Sequence, residues 1–332
     1  MDMAARLPLA ERFTAPHGWT TGNFFNAATG RHLHFGYVQP QDAPRGVIVC
    51  LGGLSEFSEK YYEVARGMQR RGYAFWFMDW HYQGRSGRYK PYPQRRHSDG
   101  FDLDVSDLHS FIENHVAPAT KAREHEYGTE ETPFIMLGHS MGGNIGLHYL
   151  IKYPRRFDAA AFSAPLLGIY NFHAGYRLLE KIVIRMLDRV GDRYVFFGRD
   201  WHEKMRKSGA GNVFSSDPER DYLHRYWSAT EPDLRVGNVT FRWVIEALKS
   251  CAALKEPGML EHIDIPVLIA AAGKDRVVDN RALHHEAARL PHGQVLDISG
   301  ARHEIMMERD EYRKQFFDAF DALLAENGIS SR

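Results

Sequence analysis

An α/β fold, a mainly parallel sheet covered by helices on both faces and interrupted late in the chain by a helical insertion, is predicted by three observations. Short apolar runs of strand length recur between helical stretches. Alternation of that kind feeds parallel strands buried on both faces. One of these runs, 134–137 (FIML), leads directly into Gly138-His139-Ser140-Met141-Gly142 and then into a stretch of helical composition, 143–153. Finally, about a hundred residues between Pro165 and Pro266 carry helical and aromatic patterns without a buried strand of parallel type.

Taken in order, the segment 19–37 alternates in polarity around the turn Ala28-Thr29-Gly30 and predicts an opening antiparallel hairpin. Strand runs follow at 46–51 (GVIVCL), 74–78 (AFWFM), 134–137, 159–162 (AAAF), 267–271 (VLIAA) and 294–298 (QVLDI). The expected division is a core of residues 1–165 and 249–332 and an inserted helical cap, or lid, of residues 166–248. Within the insertion Leu178, Leu179, Ile182, Val183, Met186, Leu187 and Val190 recur at helical spacing, and Arg177, Lys181, Arg185 and Arg189 form a basic row on the other face. The plain reading of that helix is an apolar side packed on the body and a solvated charged side. The sharper one is a wall for an acyl chain or a rest on anionic lipid.

Length and composition, 332 residues with 44% hydrophobic and 25% charged, suit one large α/β domain with an insertion. Lys+Arg and Asp+Glu are both 42, so no overall basic field points to nucleic acid. The two cysteines, Cys50 and Cys251, make no disulfide framework. The segment MDMAARLPLAERFT has no apolar stretch of signal-peptide length, and no window approaches the roughly 18 apolar residues of a membrane span. A cytoplasmic protein is expected, with peripheral contact at the inner membrane face left open.

A serine on a tight turn between strand and helix is a candidate nucleophile, because such a turn presents its hydroxyl at the sheet edge. The hydroxyl needs a histidine to take its proton and a carboxylate to hold the histidine. In open α/β sheets such groups stand just beyond the carboxyl ends of strands. Asp275 follows the run 267–272 in that way and His303 follows 294–298, completing the order serine, acid, histidine. Asp279 is the rival acid, but it stands where a helix N-cap is expected. His139 is expected to pack on the other side of the turn. An oxyanion needs two donors. The backbone N–H of Met141 is one, and the loop Gly52-Gly53-Leu54-Ser55-Glu56 supplies the other, from Leu54 or alternatively Gly53. No H-E-x-x-H or C-x-x-C spacing, no G-x-G-x-x-G and no Walker-type loop is present, so neither metal nor cofactor is expected.

With those residues in place, the chain resembles the α/β-hydrolase superfamily, and within it the bacterial lysophospholipase and monoacylglycerol lipase group. The resemblance rests on GGLSEFSEKYYEVA (52–65), GHSMGG (138–143), FSAP (162–165), AAGKDRVVD (271–279) and SGARHEIMMERDEYR (299–313). It implies a nucleophile at Ser140, an acid at Asp275, a base at His303 and oxyanion donors at Leu54 and Met141, the same residues the strand-end argument selects. One stretch departs from the family. Asp79-Trp80-His81-Tyr82-Gln83-Gly84-Arg85-Ser86 has His81 and Tyr82 where the family carries Arg-Gly, at a loop near the rim of the site.

The function implied is hydrolysis of single-chain lipid esters through an acyl-enzyme on Ser140. Gly53, Tyr82, Tyr170, Phe172 and Tyr176 are candidate substrate-binding residues, and Trp227, Phe241 and Trp243 add to the insertion's aromatic content. Alternatives are a general carboxylesterase or a small peptidase of the same fold. A non-catalytic binding protein would want a degraded triad.

Overall fold

The computed structural model describes residues 9–171, 188–206 and 211–329. Each predicted run forms a strand: β3 (Val47–Leu51), β4 (Ala74–Asp79), β5 (Phe134–His139), β6 (Ala159–Ser163), β7 (Val267–Ala272) and β8 (Gly293–Ile298). The opening hairpin also forms, as β1 (Thr20–Asn26) and β2 (Arg31–Val38), paired antiparallel about the predicted turn. All eight join one sheet in the order β1-β2-β4-β3-β5-β6-β7-β8. The pairings from β4 through β8 are parallel, and only the hairpin side is antiparallel.

Burial follows the composition. Every residue of β3, β4, β5, β6 and β7 is buried, which is why these strands read as continuous apolar runs and not as alternation. Helices α1 (Tyr62–Arg70), α2 (Phe101–Phe111), α3 (Ala117–Tyr127) and α4 (Met141–Lys152) connect the first strands. Between β6 and β7 lie α5 (Pro218–Thr230) and α6 (Phe241–Leu254), and no strand of the sheet occurs there among the described residues. Helices α7 (Asn280–Ala287) and α8 (Asp310–Glu326) complete the chain. Most of the amphipathic helix expected there, including Arg177, Lys181 and Arg185, lies outside the described residues, as do the candidate substrate-binding residues Phe172 and Tyr176. Arg189 is described, exposed in a short turn at Asp188–Val190.

The strand order places the site. The chain runs from β3 to β4 on one side and then returns to β5 on the other. Loops at the carboxyl ends of β3 and β5 therefore diverge and leave a crevice between them. The loop 52–56 and Ser140 leave adjacent strands there, since Leu51 pairs with Gly138. No helix among the described residues is long and apolar enough to cross a membrane.

Candidate active site

Ser140 sits between β5 and α4 with φ 51° and ψ −117°, a backbone conformation that costs about 1–3 kcal/mol and persists only when its surroundings impose it. Here the surroundings are backbone. Ser140 N–H donates to Ser163 O at 3.1 Å, and Ser140 O accepts from Leu166 N at 2.9 Å and Asn144 N at 3.2 Å. Gly142 is required at this turn, because a Cβ there would lie 2.3 Å from Leu51 O. Ser140 occupies the N-cap position of α4 but makes no side-chain cap bond, so its hydroxyl is directed elsewhere.

It is directed at His303. Ser140 Oγ lies 2.9 Å from His303 Nε2, and His303 Nδ1 lies 2.7 Å from Asp275 Oδ2, with all three residues buried. The other carboxylate oxygen, Oδ1, accepts from the backbone N–H of Val277 at 2.7 Å and Val278 at 3.0 Å. Burial alone would raise the Asp275 carboxyl; the imidazole and these donors outweigh it and hold the group below the ordinary carboxylate range. A carboxylate in that place would hold the proton of His303 on Nδ1 and leave Nε2 facing the Ser140 hydroxyl as an acceptor. The loops carrying acid and base are zipped together, Gly273 N to Ile298 O at 2.9 Å and Lys274 N to Ala301 O at 2.8 Å. Only glycine fits at 273, where a Cβ would lie 2.5 Å from Ser299 O.

Asp279, the rival acid, caps α7 by accepting from Arg281 N at 2.9 Å, as its position predicts. His139 bonds Ser163 O through Nδ1 at 3.0 Å, and its ring centre lies 4.8 Å from that of His303, tilted by 53°. Its burial pulls the imidazole down to about 4, so it stands beside His303 without a charge of its own. Of the two oxyanion alternatives on the loop after β3, the Gly53 N–H is taken by Glu56 Oε2 at 2.5 Å. No hydrogen bond among the described residues uses the Leu54 N–H. Met141 is the first residue of α4, so its N–H has no partner within the helix and lies at the positive end of the helix dipole.

Other predicted positions fall farther out. Tyr82 has φ 68° and its hydroxyl donates to Asp99 at 2.7 Å. Tyr170, 42% exposed, lines a cavity of about 600 Å³ together with Asp275, Val278 and Arg302. Trp243 packs on Phe101 and Trp227 on Tyr62.

Sequence reasoning missed a buried ion network behind the histidine. Glu56, His139 and Glu304 bring possible ligand atoms within 4.8 Å of one another. They do not fit a metal, because the fully buried Lys60 ammonium already bonds Glu56 at 2.5 Å and Glu304 at 2.8 Å. Arg206, from the segment between β6 and β7, reaches Glu304 at 2.7 Å and Asp221 at 3.1 Å. The only local signal was the Glu56/Lys60 spacing of four; Glu304 and Arg206 join through the fold.

A sheet of this topology with a serine on a positive-φ turn after β5, relayed through an imidazole after β8 to a carboxylate after β7, defines the α/β hydrolases, and the chain is a serine ester hydrolase of that class. More narrowly, it belongs to the Hydrolase_4 family, described as serine aminopeptidase, S33, which matches residues 42–310. Among curated proteins it is similar to "Probable lysophospholipase L2" of Haemophilus influenzae, 28% identical over 97% of this chain and 95% of that protein. It is also similar to lysophospholipase L2 of Escherichia coli K12, 29% identical over 85% and 80%. Among solved structures, a soluble variant of monoglyceride lipase from Saccharomyces cerevisiae in complex with a substrate analog aligns with a TM-score of 0.70. That alignment is 20% identical and covers 93% of this chain and 94% of that one, a likeness of fold.

Proposed function

We propose that Ser140, His303 and Asp275 hydrolyse carboxylic esters of single-chain lipids, of lysophospholipase or monoacylglycerol lipase type, through an acyl-enzyme. The observation that carries this reading is the unbroken chain from Ser140 Oγ through His303 to Asp275, at 2.9 and 2.7 Å. Ser140 Oγ attacks the ester carbonyl as His303 Nε2 takes its proton, and the N–H groups of Leu54 and Met141 receive the oxyanion. The same proton passes to the leaving alcohol. Water then attacks the acyl-enzyme with His303 again as base, and Ser140 recovers its proton. The names of the similar proteins support a lipid ester as substrate.

Residues 166–248 act as a cap over this site, and peripheral membrane contact would run through its basic row. Replacing Arg177, Lys181, Arg185 and Arg189 by Gln is expected to weaken co-sedimentation with phosphatidylserine vesicles while sparing a short soluble ester. Unchanged co-sedimentation removes the membrane role. The family description favours one second reading, a small peptidase.

Ser140→Ala is expected to lower ester hydrolysis by about 10⁴-fold or more and to abolish labelling by a fluorophosphonate. Labelling that persists in the alanine variant overturns the nucleophile. Turnover of lysophosphatidylcholine and monoacylglycerols set against aminoacyl amides separates lipase from peptidase.

A further inference from the structure

Arg96 is 1% exposed, and among the described residues no carboxylate bonds it. A guanidinium in that position is expensive unless its donors are used. Its Nε donates to Gln83 Oε1 at 2.7 Å, one terminal nitrogen donates to His97 O, and the other faces Met141 Sδ at 3.5 Å. Burial pulls its pKa down to about 10, only partly countered by Asp104.

Gln83, fully buried, turns the rest of its amide onto the loop after β3. Oε1 also accepts from Ser55 N at 3.0 Å, while Nε2 donates to Gly53 O at 2.9 Å and Glu56 O at 2.8 Å. Two acceptor sites and two donors are all satisfied, which is the full capacity of a side-chain amide. The orientation is fixed by the partners, because a flipped amide would set NH₂ against two donors, Arg96 Nε and Ser55 N. The three bonded backbone groups flank Leu54 on both sides, and Ser55 is held at φ 62°. Arg96 meanwhile touches Met141, the residue of the second oxyanion donor.

We infer that Gln83, locked by Arg96, is a positioning residue of the oxyanion site: it clamps residues 53–56 so that the Leu54 N–H points at the developing charge, and Arg96 ties that clamp to Met141. This rests on the acyl-enzyme reading above. The departure from the family pattern at His81 and Tyr82 thus immediately precedes a residue that acts on transition-state stabilisation.

The test uses Gln83→Met, close in volume but without the amide, and Arg96→Lys, which keeps the charge and loses the fork. Each is compared with wild type for kcat and KM on p-nitrophenyl butyrate, inhibition by a trifluoromethyl ketone, fluorophosphonate labelling and thermal unfolding. Gln83→Met is expected to lose about 30- to 300-fold in kcat with KM within about threefold, since a misaimed oxyanion donor is lost only in the transition state. Trifluoromethyl ketone affinity should fall by a similar factor, because its hemiketal oxygen sits where the oxyanion does. Arg96→Lys is expected to lose about tenfold in kcat while remaining folded, and it decides the matter if Gln83→Met fails to fold. A change confined to KM or to the melting temperature, with ketone affinity unaltered, overturns the inference. Wild type that takes no fluorophosphonate on Ser140 counts instead against the acyl-enzyme reading.

Discussion

Asp275 Oδ2 lies 2.7 Å from His303 Nδ1 although 28 residues separate them in the chain, while Asp279, four residues beyond Asp275, spends its carboxylate on the N-terminus of α7. Two acids at successive turns of one loop are thus given different work by geometry alone. Asp275 stands at the strand end, where the loops after β7 and β8 are tied, and Asp279 stands one step later, where a helix needs its first donors covered.

Replacing each acid by its amide separates these roles. Asp275→Asn keeps the shape but offers His303 a side chain without charge, so hydrolysis is expected to drop by about 10³- to 10⁴-fold. Asp279→Asn retains a good N-cap and is expected to leave activity within about twofold and stability within a few tenths of a kcal/mol. Steady-state rates and urea unfolding of both proteins check this. Equal activities, or the reverse order, would place the acid at Asp279.

The strands, and the strand ends at which Ser140, Asp275 and His303 come together as a candidate site, were legible because both depend on local pattern. Runs buried on both faces are apolar throughout, and the residues that follow them stand at the sheet's carboxyl edge whatever packs around them. Gln83, Arg96 and Lys60 were illegible for the opposite reason. Gln83 matters through Gly53, Ser55 and Glu56, roughly thirty residues earlier, and Lys60 through Glu304, over two hundred residues later. Such bonds leave no periodicity. Lys60 on a sequence is an ordinary surface residue, and only the fold buries it.

That buried ammonium makes a pH-dependent prediction. Burial on its own raises the carboxyls of Glu56 and Glu304, but Lys60 acting on the first, and Arg206 with Lys60 on the second, bring both below the ordinary range. Groups depressed in the folded state contribute stability above their unfolded pKa, near 4.3, which is lost as pH falls through the folded value. In Lys60→Met one carboxyl loses its cation, its folded pKa rises, and the sign reverses: the variant weakens as pH rises. A loss of about 3–5 kcal/mol is expected at pH 8, from an uncompensated buried charge, and a distinctly smaller loss at pH 5. Denaturant unfolding at the two pH values reads the difference directly. Equal losses at both would mean that the two acids are not held charged by Lys60.

Arg220 joins three parts of the chain that the sequence keeps far apart. From α5 its Nε and one terminal nitrogen bond Glu63 of α1 at 2.7 and 2.8 Å, and the other terminal nitrogen bonds Glu308 O at 2.8 Å, just before α8. It is 2% exposed, and Glu63 is held below the ordinary carboxylate range against the effect of its own burial, first by the Arg220 hydrogen bonds. The bond to Asp310, whose side chain is 79% exposed, adds little because solvent screens it. Arg220→Lys preserves the charge and therefore isolates the contribution of the fork. An ammonium cannot reach both Glu63 oxygens and Glu308 O in one geometry, so a loss of about 2–3 kcal/mol is expected by urea unfolding. Because the Glu308 carboxylate also accepts from Arg302 N at 2.9 Å, next to His303, the loop that carries His303 should loosen with it, and kcat should fall severalfold at unchanged KM. A lysine variant as stable as wild type would show that charge, and not the bidentate geometry, holds α5 to α1 and to the segment before α8.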